Sequence, residues 1–495
     1  MINKVTILVP PLLSQKKDLF GSGIPYFPIT AAYLAGYLIS KGYSVTGIDA
    51  FGAAPEKYTS FSEHYQTQGL NVDDIIQSLS QEKEFICIFC NIVINHSIIL
   101  DLICKVKKKF ADLKKIIVFE NSQAVTGYSV FAVKKDFFDA GSDFIVSGDP
   151  EFRIEKIIQN FSSGNFSGID GIIYLAKENG DIIENPQTSY IENLDTLPIP
   201  ANDIFPIQNY WKLKYAHGPY SGKYMPMLTT RGCPYNCGFC VIPSTNSRKF
   251  RHLSNDRILK ELIFWKNKYG VTDFHFEDVN PTVDKLRVRG LCEKIINEKL
   301  NITWKLVSGT KVETFDAETL KLMRAAGCVY ISISPESGSP EIMKSIGKPF
   351  DIEHAVMMLG VMNKLGIFSQ VCFVLGFPGE TETDIRLTEK MAAACARAGA
   401  DEIAVFIITP IPGSSTYFSN NKNFISGYDS LEQLTFSPLW RSDYKLLSSK
   451  RLKIALNFNI IRFTRHPLKT LAGFIRMITG NYKTKTEQLL RKILK

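Results

Sequence analysis

The sequence predicts an α/β protein built in three parts. The first is an N-terminal doubly wound, Rossmann-like domain over residues 1–165. A linker with a hairpin follows at 166–224, then a partial (β/α)6, TIM-like barrel over 225–420 and a helical C-terminal extension over 421–495. Three observations carry this reading. Short apolar runs alternate with amphipathic stretches through the first 165 residues, six further strand–helix units begin at Met225, and strand signals stop near residue 421.

In order, VTILVP reads as a buried strand, ITAAYLAGYLISKG as a helix over 29–41 stopped by Gly42, and YSVTGIDA, FICIFC, KIIVFE and DFIVSG as further strands. Ligands of such sheets sit at the carboxyl ends of the strands, which here means the neighbourhoods of Pro10–Leu13, Cys90–Asn95, Glu120–Gln123 and Ser147–Glu151. The connection IENLDTLPIPANDIF carries Pro198 and Pro200, which forbid a continuous helix. From MPMLTTR onward the strands TDFHFED, ITWKLVS, CVYISISPE, SQVCFVLGF and DEIAVFIIT alternate with helices. Near-continuous apolar strands of this kind belong to a parallel, barrel-like sheet with its site at the strand carboxyl ends.

Composition excludes several classes. With 45% apolar and 22% charged residues the chain is neither disordered nor fibrous, and no apolar run reaches the ~18 residues of a membrane-spanning helix. Ten cysteines are scattered with a single tight group. Together with an N-terminus that reads as a strand, this points to a reducing, cytoplasmic setting in which close cysteines bind metal. The net charge of +9 is misleading: residues 440–495 hold fourteen Lys/Arg against Asp443 and Glu487, leaving the rest slightly acidic. No nucleic-acid partner is therefore expected.

TTRGCPYNCGFC sets Cys233, Cys237 and Cys240 in one loop directly after the first barrel strand. Three thiolates can hold three irons of a [4Fe–4S] cube and leave the fourth open to a ligand. A zinc site completed by His252, or an electron-transfer cluster completed by a distant cysteine, uses the same residues.

The spacing C-x3-C-x-φ-C, with Phe239 as its aromatic, resembles the radical S-adenosylmethionine (SAM) superfamily. The resemblance implies reductive cleavage of SAM to a 5′-deoxyadenosyl radical, with electrons from a donor such as flavodoxin or ferredoxin. It also implies SAM contacts at Glu277 and Asp278, at Glu336 and Ser337, and at Gly376, Pro378 and Gly379, each pair or turn ending a barrel strand. Lys311 stands where many relatives carry Arg, keeping the charge without the bidentate fork.

The upstream domain is similar to the cobalamin-binding domain of one radical SAM subfamily, through PYFPITAAYLAGYLISKGYSVTGIDA and DFIVSGDPEFRIEKII. That similarity implies cobalamin near Pro11, Asn91, Glu120, Asn121, Ser147, Gly148 and Glu151, held without a histidine ligand because no D-x-H-x-x-G stretch occurs; His96 reads as a helix-start residue. Val118–Asn121 depart from the subfamily's Gly-Gly pair, so a vestigial domain is the alternative. The implied reaction is methylation of an unactivated carbon or phosphorus centre in a small-molecule or lipidic substrate. Cyclisation or rearrangement with the same cofactors, and a non-catalytic cobalamin- or metal-binding sensor, are the competing readings. For the basic tail over 440–495, a helical cap over the barrel mouth competes with a peripheral membrane contact.

Overall fold

Val5, Ile7 and Val9 point to one face of the first strand and Leu8 to the other, and both faces are buried, which requires a sheet covered on two sides. The structure is a computed structural model describing residues 4–16, 26–110, 114–120, 127–176, 179–213, 218–219, 221–348, 350–418, 427–484 and 486–487. The parallel strands β1 (Lys4–Val9), β2 (Ser44–Asp49), β3 (Glu84–Cys90), β4 (Lys114–Glu120) and β5 (Phe144–Val146) lie in the order β2-β1-β3-β4-β5. The chain reverses direction across the sheet between β1 and β3, so the ligand crevice of this topology opens at their carboxyl ends.

Helix α1 (Ile29–Ser40) packs on one face, while α2 (His96–Phe110) sets Ile99, Leu102, Ile103 and Val106 against the other. Helix α3 (Pro150–Asn160) follows β5 and joins α1 on the first face. The hairpin of β6 (Ile172–Leu175) and β7 (Ile182–Asn185) adds two antiparallel strands beyond β5. Past it, the Pro-punctuated connection crosses α1: the Ala201 amide donates to the Ala32 carbonyl at 2.9 Å. A Cβ on Gly36 would stand 2.7 Å from the Ile199 carbonyl oxygen, so the crossing needs glycine there.

The second sheet holds β8 (Met225–Met227), β9 (Asp273–Phe276), β10 (Thr303–Thr310), β11 (Cys328–Glu336), β12 (Phe368–Leu375) and β13 (Glu402–Ile407), parallel and in sequence order. Ser254, Asp284, Asp316, Asp351 and Thr381 each cap a following helix by accepting a backbone N–H. The last of these helices is α4 (Glu382–Ala398).

At the amino end of the strands the interior is closed by a buried ionic group. Lys305 Nζ donates to Asp273 at 2.6 Å and to the Pro219 carbonyl, while His275 stacks on Tyr224 with centroids 4.2 Å apart. Burial pushes the His275 imidazole down to about 4. It would push the Asp273 carboxyl up, but Lys305 and His275 outweigh it and hold that group well below its usual range. These groups seal the end of the barrel away from the strand carboxyl termini.

The extension reaches the carboxyl end of the barrel at its start, where Arg441 Nη1 donates to the Gly376 carbonyl at 3.1 Å and to the Ile408 carbonyl at 3.0 Å, and its two helices then run elsewhere. Residues 427–440 pack on the turn after β3 and the start of α2, burying Leu431 and Leu434, with Ser97 donating to Glu432. Helix α5 (Tyr444–Arg465) then runs down the flank of β13 and α4 on Leu447, Ile454 and Phe458, and α6 (Pro467–Thr479) sits at the amino end, where Lys469 pairs with Asp401 at 2.8 Å. A flank position follows from the edge strand: β13 offers an uncovered side, and an apolar helix face covers it.

Candidate active site

Strand β8 leads through Leu228–Arg231 into the cysteine loop. Gly232 adopts φ 77°, and a Cβ there would lie 2.1 Å from the Lys249 carbonyl oxygen, so the sharp entry into the loop needs glycine. The loop is pinned by backbone bonds: Cys233 to Ser247 (3.2 Å), Cys240 to Cys237 (3.0 Å) and Gly238 to Ile346 (2.8 Å). Burial raises all three thiols, Cys240 to about 12; Cys233 adds to the rise at Cys237, and Cys237 and Cys233 add to it at Cys240.

Among the described residues, no three His, Cys, Asp or Glu side chains are drawn round a single-ion site. His252, the fourth ligand a zinc site would use, is exposed, with Nδ1 against the Leu253 carbonyl.

Two lysines face the loop. Lys348 is buried; its Nζ donates to the Ser334 carbonyl at 2.8 Å and to Glu336 Oε1 at 2.6 Å. Burial would lower it, but Glu336 and then the thiols hold it above its ordinary value. No motif in the sequence singled this lysine out. Lys311, discounted above for lacking the arginine fork, lies over the Tyr235 ring, 4.7 Å from its centroid, between Cys233 and Cys237.

Around the loop stand the barrel strand ends. Glu277 is buried, and its carboxylate is near enough to help burial raise the Tyr26 phenol. Its neighbour Asp278, expected beside it as a SAM contact, has both carboxylate oxygens engaged within the protein. Asp278 accepts from the backbone amides and hydroxyls of both Thr229 and Thr230, and so ties β9 to the start of the cysteine loop.

Glu336 sits at φ 63°, a left-handed conformation that costs a non-glycine residue on the order of 1–3 kcal/mol. Lys348 holds it there. Ser337, the other expected contact on this turn, instead places its hydroxyl 3.1 Å from Thr388 on α4. Both corrections have one cause: a short polar side chain at a buried strand end takes the nearest donors or acceptors of the next element.

Gly376 and Gly379 take φ 84° and 80° either side of Pro378, and the Glu380 carboxylate returns to the Gly376 amide at 2.5 Å. The Phe239 ring meets Phe377 edge-on at 5.8 Å, joining the cysteine loop to this turn.

Across from the loop lies the carboxyl edge of the first sheet. Arg231, two residues before Cys233, is buried and forks onto Glu151, while its Nη1 also reaches Asp149 at 2.9 Å. Arg251 reaches the other oxygen of Asp149 at 2.5 Å. Burial would raise the Asp149 carboxyl, but Arg231 and Arg251 lower it instead. Glu151 was expected to face cobalamin; it is locked in this ion cluster.

Glu120 is likewise occupied, accepting from the Val130 amide (3.0 Å), the Ser147 hydroxyl (2.6 Å) and the Gly148 amide (3.0 Å). Thus Glu120, Ser147 and Gly148, each expected to touch the cofactor, bond to one another. Asn91 Oδ1 accepts from Asn95 at the end of β3, Pro11 is buried past the end of β1, and Asn121 lies outside the described residues. His96 starts α2 as expected, yet its ring is buried between Tyr128 (3.1 Å) and Asp136 (3.2 Å).

Burial pushes the Glu120 carboxyl up to about 7 against the pull of its donors. The native state therefore keeps a proton that the unfolded chain gives up near pH 4.5. Stability from this group falls as pH rises from about 4.5 to about 7, by up to about 1.4 kcal/mol per unit. Urea titrations across that range should show this slope, and Glu120→Gln should flatten it; an unchanged slope would assign it to other groups.

Residues 227–392 match the Radical SAM superfamily, so the matched stretch begins at the end of β8 and includes the cysteine loop and the strand ends just described. The chain carries a radical SAM domain. It is 29% identical over 327 residues to an uncharacterized methyltransferase of Pyrococcus horikoshii, covering 66% of this chain and 68% of that one. It is 26% identical over 464 residues to the cytidylyl-2-hydroxyethylphosphonate methyltransferase of Streptomyces wedmorensis, covering 86% and 84%. The chain shares its fold with the methyltransferase TsrM of Kitasatospora setae, a structure described with cobalamin and a [4Fe–4S] cluster bound. The TM-score is 0.61 at 15% identity over 84% of this chain and 77% of that one.

Proposed function

We propose that this chain is a cobalamin-dependent radical SAM methyltransferase acting on a carbon or phosphorus centre of a small-molecule or lipidic substrate. Residues 225–420 are its radical SAM core and 1–165 its cobalamin domain. The observation that carries the pairing is the buried Asp149–Glu151–Arg231–Arg251 cluster, which joins the cysteine loop to the carboxyl edge of the first sheet. Two cofactor sites that must act on one substrate need a fixed separation, and a desolvated ion cluster between their loops supplies it.

When bound, a cluster on Cys233, Cys237 and Cys240 would supply the electron that cleaves SAM, and cobalamin would supply the methyl group. The chain's own side chains do the rest. Glu277 offers a carboxylate to the SAM ammonium, Lys348 fixes Glu336 toward the ribose, and the Gly376–Gly379 turn brings backbone close to the adenine. Toward cobalamin, Pro11 and Asn91 at the β1/β3 crevice fit, whereas Glu120 and Glu151 do not, because their oxygens are already taken. The group would rest on backbone and neutral side chains.

The two methyltransferases among its relatives support methyl transfer as the first reading. The test is anaerobic reconstitution with iron, sulfide and cobalamin. The expected result is a cobalamin absorption spectrum retained through gel filtration, reductant-dependent 5′-deoxyadenosine, and a product heavier by one methyl group. SAM cleavage without retained cobalamin would overturn the cobalamin assignment, and a product without added methyl would move the reaction to cyclisation or rearrangement.

A further inference from the structure

Helix α5 has two apolar faces. Leu447, Ile454 and Phe458 are buried in the core, while Leu452, Leu456, Ile460 and Phe463 fall on the opposite side and are each about half exposed or more. Helix α6 repeats the pattern. Leu468, Leu471, Ile475 and Ile478, at spacings of three and four residues, form one stripe with Phe474 and face solvent, Leu468 at 82% and Ile478 at 70% exposure. Monomeric proteins rarely leave a continuous apolar surface of this kind uncovered.

We propose that the outer faces of α5 and α6 are a docking surface for an anionic lipid bilayer, on which the enzyme lies peripherally. Charge selects this occupant. Residues 444–486 contain ten Lys/Arg and no Asp or Glu, and Lys445, on the outward side of α5, and Arg465, at its carboxyl end, are exposed. Of the others, Arg451 and Arg462 are buried, and Lys450, Lys453, Lys469 and Arg476 pair with Glu382, Glu389, Asp401 and Glu487, none of which lies within the segment. A second copy of this chain would bring like charges together. Spanning is not the mode either: no helix among the described residues is long and apolar enough to cross a membrane. An amphipathic helix with basic residues around an apolar stripe rests in the interface, its leucines and phenylalanines among the acyl chains and its cations at the headgroups.

The inference is independent of the cofactor assignment. Iron-free and iron-loaded protein should dock alike, so its failure would leave the proposed reaction untouched. The test is co-sedimentation of the full chain with vesicles of phosphatidylglycerol and phosphatidylcholine, or of phosphatidylcholine alone. Deleting residues 440–495 would remove core side chains as well, so the variants are Leu468→Ser/Phe474→Ser/Ile478→Ser and, separately, Lys445→Glu/Arg465→Glu. Both change exposed positions only. The wild-type chain is expected to pellet with the anionic vesicles, and to release as salt is raised. Partition should fall about tenfold or more in the apolar variant and by a smaller factor in the charge variant. Equal pelleting of wild type and the apolar variant would overturn the proposal, as would failure of the wild type to pellet. A stable dimer in sedimentation velocity that the apolar variant dissociates would overturn it in favour of a second copy.

Discussion

Arg231→Met is expected to lower stability by about 3–5 kcal/mol, the cost of leaving a buried carboxylate without its partner. Glu151 takes bonds from both Arg231 nitrogens, Nη1 and Nη2, whereas Asp149 keeps Arg251. The uncompensated charge is therefore Glu151, which would take up a proton. Arg231→Lys should recover little, because one ammonium cannot fork onto Glu151 and also reach Asp149. Combining Arg231→Met with Glu151→Gln should recover part of the loss, since the buried charge goes with its partner.

Urea unfolding of wild type, Arg231→Met, Glu151→Gln and the double variant measures the cycle, with Arg231→Lys beside them, and iron content after anaerobic reconstitution supplies a second readout. Arg231 precedes Cys233 by two residues, so a loosened strut should also lower iron retention. An Arg231→Met protein with wild-type midpoint and iron content would show that the cluster of charges does not hold the two parts together.

Cys237→Ala is expected to have the opposite profile: 5′-deoxyadenosine formation falls to background while the fold survives. The Cys237 side chain is only partly buried and small, and the loop's backbone bonds, including Gly238 to Ile346, do not use its sulfur. Its removal should cost stability under about 1 kcal/mol. The thiol's replaceable proton is what the site loses. Two thiolates hold an iron–sulfur cube poorly, so iron, sulfide and reductant-dependent SAM cleavage should be lost together. Cys372→Ala, on β12, serves as the control that keeps all three. Persistent 5′-deoxyadenosine from Cys237→Ala would refute the ligand assignment.

The contrast between these two variants follows what was legible in the sequence. Cys233, Cys237 and Cys240 are neighbours along the chain, and a three- and two-residue spacing carries its meaning without any fold around it. The strands and helices of both sheets were legible for the same reason. Periodicity and the polar caps of the barrel helices are local, and β8 to β13 appear in the order in which their apolar runs occur.

Side-chain direction was not legible. Asp278 and Ser337 sit in turns whose residue types suggested SAM contacts, yet Thr229 and Thr388, 49 and 51 residues away, claim them. Lys348 had no motif to mark it; only the approach of its turn to Glu336 gives it a role.

The amino-acid order by itself determined the α/β class, the two parallel sheets, the metal-binding loop and the basic character of the C-terminal segment, because each is a pattern of near neighbours. Only the tertiary structure decided that Arg231 faces Glu151 across 80 residues, that Glu120 closes on Ser147 and Gly148, and that α5 keeps one apolar face for the core and turns another outward. Those depend on which buried charges and apolar faces meet once the sheets are packed. A carboxylate beside one partner or another costs so differently in a low-dielectric interior that long-range geometry, and not residue type, selects its role.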